Sequence, residues 1–209
     1  MSSDACILET CRGVKPGGCR FGLPLPGGFA GELEALAGTA LPVALAELGR
    51  PLRHHERLRL SLCACPNGCV RPHVADVGLL AARDVAIDAA ACAGCGACRD
   101  VCPDGAIALD DGVAALDDSR CLGCGQCLAV CPAGAIAAGP TRFRALIGGR
   151  LGRRPRLGQE LGRRLDGQAA LGLVARCLAA HGAQARPSRR FGDIIFPAGQ
   201  PGLPAWIWP

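Results

Sequence analysis

The chain has 209 residues and a formal net charge of +5, and 50% of its residues are hydrophobic although only 3% are aromatic. This length allows one medium-sized domain or two small ones, with a core of aliphatic side chains. No apolar run reaches the roughly 18 residues that a membrane-spanning helix requires, so we predict no membrane span. Fifteen cysteines, with no apolar signal segment after Met1, indicate a reducing cytoplasm.

The first three cysteines, Cys6, Cys11 and Cys19, lie in a stretch rich in glycine and proline. This composition favours turns, so any metal ligands here are expected to lie on loops. Residues 29–48 carry apolar side chains near helical spacing and contain Pro42, which predicts two short helices that meet at the proline.

Residues 57–63 alternate between polar and apolar side chains, which is the pattern of a half-buried strand. The predicted strand leads directly into a second group of cysteines, namely Cys63, Cys65 and Cys69. The sequence therefore places several thiols at the end of a strand.

The central stretch contains one motif twice: three cysteines at two-residue spacing, then a fourth cysteine and a proline. The first copy is Cys92, Cys95, Cys98 and Cys102, and the second is Cys121, Cys124, Cys127 and Cys131. Three thiolates at this spacing can bind three corners of an iron–sulfur cube, and the fourth is placed to bind the other cube. We therefore predict two 4Fe-4S clusters, one held by Cys92, Cys95, Cys98 and Cys131 and the other by Cys121, Cys124, Cys127 and Cys102.

The alternatives for eight cysteines are disulfides, which need an oxidising compartment, and zinc, which is bound by pairs of ligands. The repeated motif resembles the bacterial two-cluster ferredoxin over about forty residues. Both copies continue into Gly-Ala-Ile, which predicts a short helix and a strand in each half. Oxidised cubes with their thiolates carry about −2 each and would cancel most of the positive charge, so no nucleic-acid partner is predicted.

Residues 171–181 are predicted to form a helix. Cys177 is expected to lie in its packed face, because no second cysteine is near it in sequence. His181, at the end of this helix, is expected to be a solvated cap. The tail after residue 201 contains two tryptophans that pack either on the rest of the chain or on a partner.

A second resemblance lies outside the repeated motif. The sequence from Cys65 to Cys69, followed by a proline and an Asp-x-Gly, is similar to the second half of the iron–sulfur and siroheme motif of the nitrite/sulfite reductase family. Residues 142–161 resemble its Gly-Gly-Lys-Leu-Gly-Arg turn beside siroheme, and residues 190–195 resemble its closing segment. The resemblance covers roughly residues 10–80 and 141–196.

In that family two pairs of cysteines hold a cube, and the last cysteine also bridges to the siroheme iron. The resemblance implies Cys65 and Cys69 as the second pair, with Cys69 as the bridge. It implies Cys11 and Cys19 as the first pair, although seven residues separate them where the family has five. Free thiols on a loop are the alternative. The remaining cysteines are predicted to be dispensable, namely Cys6, Cys63 and Cys177.

Siroheme carries many carboxylates and needs a basic cradle, to which the resemblance implies that arginines contribute. These arginines are Arg142, Arg144, Arg150, Arg153, Arg154 and Arg156. A solvated basic face is the alternative. Because the family normally places another half-domain before the first cysteine pair, we expect a partner protein or a second copy to complete the pocket, or no siroheme to bind.

The predicted fold class is α+β. Residues 1–84 and 141–209 are expected to form a truncated nitrite/sulfite reductase-like lobe, and residues 85–140 an inserted two-cluster ferredoxin domain. The predicted function is to pass electrons through the two ferredoxin cubes to a third cube, coupled to siroheme, for sulfite or nitrite reduction with a redox partner protein. The alternatives are an electron carrier without siroheme that serves a separate reductase, and an iron–sulfur assembly or sensor module.

Overall fold

The computed structural model describes residues 6–38, 50–184, 186–187, 189–197 and 202–208. The strands are β1 Cys6–Thr10, β2 Leu58–Cys63, β3 Val77–Ile87, β4 Ile107–Asp110, β5 Val113–Leu116, β6 Ile136–Ile147 and β7 Gln159–Glu160. The helices are α1 Phe29–Ala37, α2 Ala97–Val101, α3 Gln126–Val130, α4 Gly167–Gln184 and α5 Phe191–Ile195. This mixture of a sheet with helices confirms the predicted α+β class.

The chain forms two compact units, and the boundaries between them fall inside β3 and β6. Unit 1 comprises residues 1–81 and 143–209, and unit 2 comprises residues 82–142. The assignment of these regions to a reductase-like lobe and an inserted ferredoxin domain stays a prediction. No helix in the described ranges is both long and apolar enough to cross a membrane.

The larger sheet has five strands in the order β1-β2-β3-β6-β7. Strand β2 runs parallel to both neighbours, with Thr10 of β1 opposite Leu62 and with Leu60 opposite Val77 of β3. A parallel register brings the carboxyl ends of β1 and β2 to the same edge. Because β2 is a central strand, it is mostly buried rather than half-buried as its alternating sequence predicted.

The core of unit 1 lies against this sheet and is aliphatic apart from buried phenylalanines. Phe29 of α1 stacks on Phe143 of β6, with ring centroids 4.1 Å apart and planes 19° apart. Helix α4 contributes Leu173 and Cys177, both fully buried. The first helix predicted in residues 29–48 is confirmed as α1, whereas the second lies outside the described residues.

The carboxyl-terminal segment packs on unit 1. A short 3-10 helix, Ala205–Ile207, buries Ile207, and the side chain of Arg176 donates a hydrogen bond of 2.9 Å to the Ile207 carbonyl oxygen. Trp206 also packs against the core. Of the two possibilities for the tail, the structure therefore shows packing on the chain itself.

Unit 2 contains a β4–β5 hairpin and the short helices α2 and α3. Asp111 and Gly112 connect the two strands, and both have positive φ, 46° and 78°, as a tight hairpin turn requires. Helix α2 precedes β4 and helix α3 precedes β6, which confirms the predicted helix and strand in each half of the duplication.

Candidate iron–sulfur centres

Two small pockets in unit 2 are each lined by four cysteines. The first contains Cys92, Cys95, Cys98 and Cys131, together with apolar side chains that include Ile87 and Ile136. The second contains Cys102, Cys121, Cys124 and Cys127, together with Val85 and Ile107. Each pocket thus takes three thiols from one copy of the motif and one from the other, the same sets that the sequence predicted as cluster ligands.

The helices α2 and α3 determine how these thiols are placed. Cys98 and Cys127 lie within the two helices and are buried, whereas Cys102 and Cys131 follow the last helical residues. A glycine in the left-handed region, Gly96 or Gly125, follows the second cysteine of each copy and is the residue before the helix. The fourth cysteine of each copy lies after its helix and lines the pocket formed by the first three cysteines of the other copy.

The thiols and their surroundings fit a cube. The backbone N–H groups of Ala114 and Ala106 donate to the Sγ atoms of Cys92 and Cys102 at 3.4 and 3.3 Å. Hydrogen bonds from Ala114 and Gly94 lower the pKa of Cys92. N–H donors of this kind stabilise negative sulfur in iron–sulfur proteins.

The buried thiol of Cys127 ionises less readily than a free cysteine. Burial, together with the nearby charges of Cys124 and Cys121, raises the pKa of Cys127 to about 11. Bound iron would favour these thiolates, so cluster binding and folding are coupled here. In the described ranges no three His, Cys, Asp or Glu side chains are grouped to hold a single metal ion.

A third group of cysteines lies at the carboxyl edge of β1 and β2. Cys11 follows β1, its N–H donates to the Leu62 carbonyl oxygen at 3.0 Å, and its Sγ accepts the Ala64 N–H at 3.2 Å. The loop that carries Cys19 is fixed to the same edge, because the Leu23 N–H donates to the Ala64 carbonyl oxygen at 2.7 Å.

Cys65 and Cys69 lie on the loop that leaves β2, close to Cys11 and Cys19. Burial raises the pKa of Cys65, and the nearby charges of Cys11, Cys69 and Cys19 raise it further. Cys11 and Cys65 are buried, whereas Cys19 and Cys69 are exposed. The structure thus places the four residues predicted for the third cluster near the same edge of the sheet, with Cys19 and Cys69 exposed, and their role as ligands stays a prediction.

The other cysteines differ from this group in their surroundings. Cys6 packs against the main core, and Cys177 lies within it, as predicted for Cys177. Cys63 is close to Cys11 and Cys65, but its burial against Leu80 and Leu146 raises its pKa to about 12. Because Cys11, a predicted ligand, belongs to the same buried cluster, the dispensability of Cys63 stays a prediction.

The prediction that His181 is a solvated cap is wrong. His181 is only 4% exposed, and its ring lies in an edge-to-face arrangement with the Phe191 ring, with centroids 6.1 Å apart. Burial lowers the pKa of His181, so the neutral imidazole is favoured. Helix α4 continues to Gln184, beyond the predicted end, which places His181 inside the packed part of the helix.

The arginines predicted to bind siroheme have different protein partners. Arg142 pairs with Asp84 at 3.6 Å, Arg144 with Glu160 at 2.6 Å, and Arg150 with Asp193 at 3.2 Å. The Arg156 guanidinium donates to the carbonyl oxygens of Gly148 and Gly192, both at 3.0 Å, and lies over the Phe196 ring. Arg153 and Arg154 are exposed. Arg156 therefore stabilises the turn after β6.

The glycine between the first two cysteines of the motif gives a direct test of the first cluster. Gly94 has a φ of 66°, and an added Cβ would collide with the Gly112 carbonyl oxygen. We expect Gly94→Ala to displace Cys92 and Cys95 and to cost about four irons per chain. Gly112→Ala is the matched control, because its φ of 78° imposes similar backbone strain with no atom within 4 Å. Equal iron content in both variants would contradict the expectation.

Comparisons with known proteins agree with this geometry. Residues 91–135 match the model of the 4Fe-4S dicluster domain. The chain is 39% identical over 46 residues to the coenzyme F420-dependent sulfite reductase of Methanocaldococcus jannaschii, covering 22% of this chain and 7% of that protein. It is 34% identical over 79 residues to a subunit of the anaerobic sulfite reductase of Salmonella typhimurium, covering 36% of this chain and 23% of that protein.

The fold also matches a solved structure. The crystal structure of dissimilatory sulfite reductase I aligns with 90% of this chain and 48% of its own chain, with a TM-score of 0.56 and 18% identity. The fold and the two four-cysteine pockets define a sulfite reductase-like iron–sulfur protein with a 4Fe-4S dicluster domain. In these aligned segments and in its fold the chain is similar to sulfite reductases. It spans less than a quarter of the length of the curated relatives that it matches.

Proposed function

We propose that the chain passes electrons from the two clusters of unit 2 to a third 4Fe-4S cluster in unit 1, as a component of a sulfite or nitrite reductase. The observation that supports this most is the grouping of Cys11, Cys19, Cys65 and Cys69 at the carboxyl edge of β1 and β2. A protein that acted only as a two-cluster ferredoxin would not need this set. The relatives also support it, because they are named as a sulfite reductase and as a subunit of one.

The chain's own residues perform three tasks in this proposal. The cysteines ligate iron, and backbone N–H groups such as that of Ala64 donate to their sulfur atoms. The apolar walls of the pockets in unit 2 exclude water from the thiolates. When bound, the cubes supply one-electron transfer at potentials set by these hydrogen bonds and by solvent exposure.

A siroheme next to the third cluster is the finer part of the proposal. Cys69 is exposed, so its sulfur is accessible to a second metal centre on the solvent side. The arginines fit a macrocycle less well, because Arg144, Arg150 and Arg156 already donate to protein acceptors. When bound, siroheme would supply the site at which sulfite or nitrite is reduced.

Electron transfer without siroheme is the second candidate. The protein partners of these arginines favour it, since guanidinium groups held in ion pairs are less available to bind a carboxylate-rich macrocycle. In that case the chain would carry electrons to a separate reductase. In both cases we propose a redox partner, and one relative is itself named as a subunit.

An absorption spectrum of the anaerobically purified protein distinguishes the two candidates. Siroheme adds Soret and red bands that iron–sulfur cubes lack, and these bands should shift when sulfite is added to the reduced protein. A spectrum of cubes alone, with about twelve irons per chain, would favour the carrier. Fewer than about eight irons would contradict both candidates.

If siroheme is present, replacing Arg153 should lower the amount of siroheme bound per chain. Arg153 is exposed, so Arg153→Ala should lower siroheme per chain severalfold and leave the iron of the cubes unchanged. Arg156→Ala should also lower it, but this change removes the hydrogen bonds to Gly148 and Gly192 and requires a stability measurement beside it. Arg99→Ala, an exposed arginine of unit 2, is the control. Unchanged siroheme in Arg153→Ala would exclude this arginine from the cradle.

A further inference from the structure

A basic pocket of about 220 Å³ lies in unit 1 and is not used by the proposed electron transfer. Its basic lining residues are His54, His55, Arg57, Arg59, Arg150 and Arg190. Among the described residues that line it, Asp76 is the only carboxylate. Four arginines and two histidines therefore surround one acid, which makes the pocket strongly attractive to anions.

This pocket is separate from the third group of cysteines. Arg57 and Arg59 are at the start of β2, whereas Cys63 is at its end. At about 3.3 Å per residue, the strand separates Arg57 from Cys63 by about 20 Å. The Gly148 N–H donates to the Asp76 carbonyl oxygen at 2.7 Å, which places the loop after β6 at the same amino-terminal edge. The pocket therefore lies at the amino-terminal end of β2, whereas Cys11 and Cys65 lie at its carboxyl end.

Hydrogen bonds to uncharged groups orient part of this basic lining without neutralising it. Arg190 donates to the Leu151 carbonyl oxygen at 3.2 Å, and Arg150 donates to the Arg154 carbonyl oxygen at 2.8 Å. Two carboxylates outside the lining pair with lining arginines: Glu9 with Arg59 at 2.9 Å and Asp193 with Arg150 at 3.2 Å. Even with these pairs, arginine and histidine outnumber the acids around the described part of the pocket.

Asp76 gives the pocket an acceptor among these donors. It accepts the backbone N–H of Arg59 at 2.8 Å, which fixes the carboxylate beside the guanidinium groups. Gly149 and Gly152 also line the pocket, so part of its wall is backbone without side chains. Val74 and Leu151 add apolar surface. The lining therefore combines anion-binding donors with room for an organic group.

We propose that this pocket binds a small ligand that carries a tetrahedral oxyanion of the phosphate or sulfate class. The planar fork of arginine donates two parallel hydrogen bonds to such groups. Because Arg59 and Arg150 already pair with Glu9 and Asp193, the expected donors are the remaining N–H groups of the four lining arginines and the two lining histidines. A volume of about 220 Å³ holds the oxyanion and a small organic substituent. The inference does not depend on siroheme or on the third cluster.

The experiment uses the full chain with its clusters, purified anaerobically. Titration calorimetry with inorganic phosphate, sulfate and sulfite, each at the same ionic strength set with chloride, should show saturable binding of at least one of them. The oxyanion that binds most tightly identifies the class of the ligand. No saturable binding of any oxyanion at millimolar concentration would overturn the proposal.

Variants locate the binding. His54→Gln alters an exposed lining residue, and Arg57→Gln removes one charge from the wall. We expect Arg57→Gln to weaken binding about tenfold, because one charge-assisted hydrogen bond is lost. Arg163→Gln removes the same charge from an exposed position of unit 1 that does not line the pocket, so the affinity of this variant should be unchanged. Equal weakening by Arg163→Gln, or none in both lining variants, would overturn the proposal.

Iron content and the absorption spectrum are measured on the same samples. If Arg57→Gln misfolds, its iron content falls, and His54→Gln then decides the result because it is exposed. A chain without siroheme that still binds phosphate would disprove the siroheme proposal and leave this inference intact. A chain that contains siroheme but binds none of the oxyanions would support the siroheme proposal and overturn this inference. The two proposals can therefore fail independently.

Discussion

Changing Cys98 and Cys127 together to alanine is expected to remove about eight irons per chain and to destabilise unit 2. Each change removes one ligand from one pocket. The two thiols are 7% and 8% exposed, the most buried of the eight ligands, and they belong to the core of unit 2. Without cubes the small core, with its short helices, loses the metal bonds that hold it together.

The measurement is iron and acid-labile sulfide per chain, with chemical denaturation followed by circular dichroism. Cys6→Ala is the control, because Cys6 is a partly buried thiol of β1 outside all three groups. It should keep all the iron of the unchanged protein. If the double variant keeps eight or more irons, the predicted ligand sets for unit 2 are wrong.

Cys65→Ser is expected to lose a third cube, about four irons, while Cys63→Ser keeps it. Cys65 lies close to Cys11, Cys19 and Cys69, whose charges raise its pKa. Cys63 is fully buried against aliphatic side chains of β3 and β6. The two residues are only two positions apart. Comparing the two variants therefore distinguishes the loss of an iron ligand from a general disturbance of the loop.

Electron paramagnetic resonance of the reduced protein, together with iron analysis, measures this difference. Cys69→Ser should also lower the iron content, and it should remove any spectral coupling between the third cube and a siroheme. If Cys63→Ser loses iron and Cys65→Ser does not, the ligand assignment shifts by two residues. If neither Cys63→Ser nor Cys65→Ser loses iron, this third group of cysteines binds no cube.

The sequence by itself determined the chemistry of unit 2. The ligand spacing is local and repeated, so Cys92 to Cys131 predicted the two four-cysteine sets that line separate pockets. The predicted strand before Cys63 and the helix around Cys177 were also found, because their hydrophobic patterns are strong. These features depend on residues close together in the chain, where spacing is a reliable guide to geometry.

Only the tertiary structure decided how distant residues meet. Cys11 and Cys65 are brought together by the parallel pairing of β1 and β2, which no local pattern specifies. The run from His54 to Arg59 contains four basic residues, a signal in the sequence, but its pocket forms only when the loop after β6 lies against Asp76. Long-range packing also buried His181, because helix α4 extends past the predicted end. Such contacts depend on strand order and loop closure, and local spacing does not determine either.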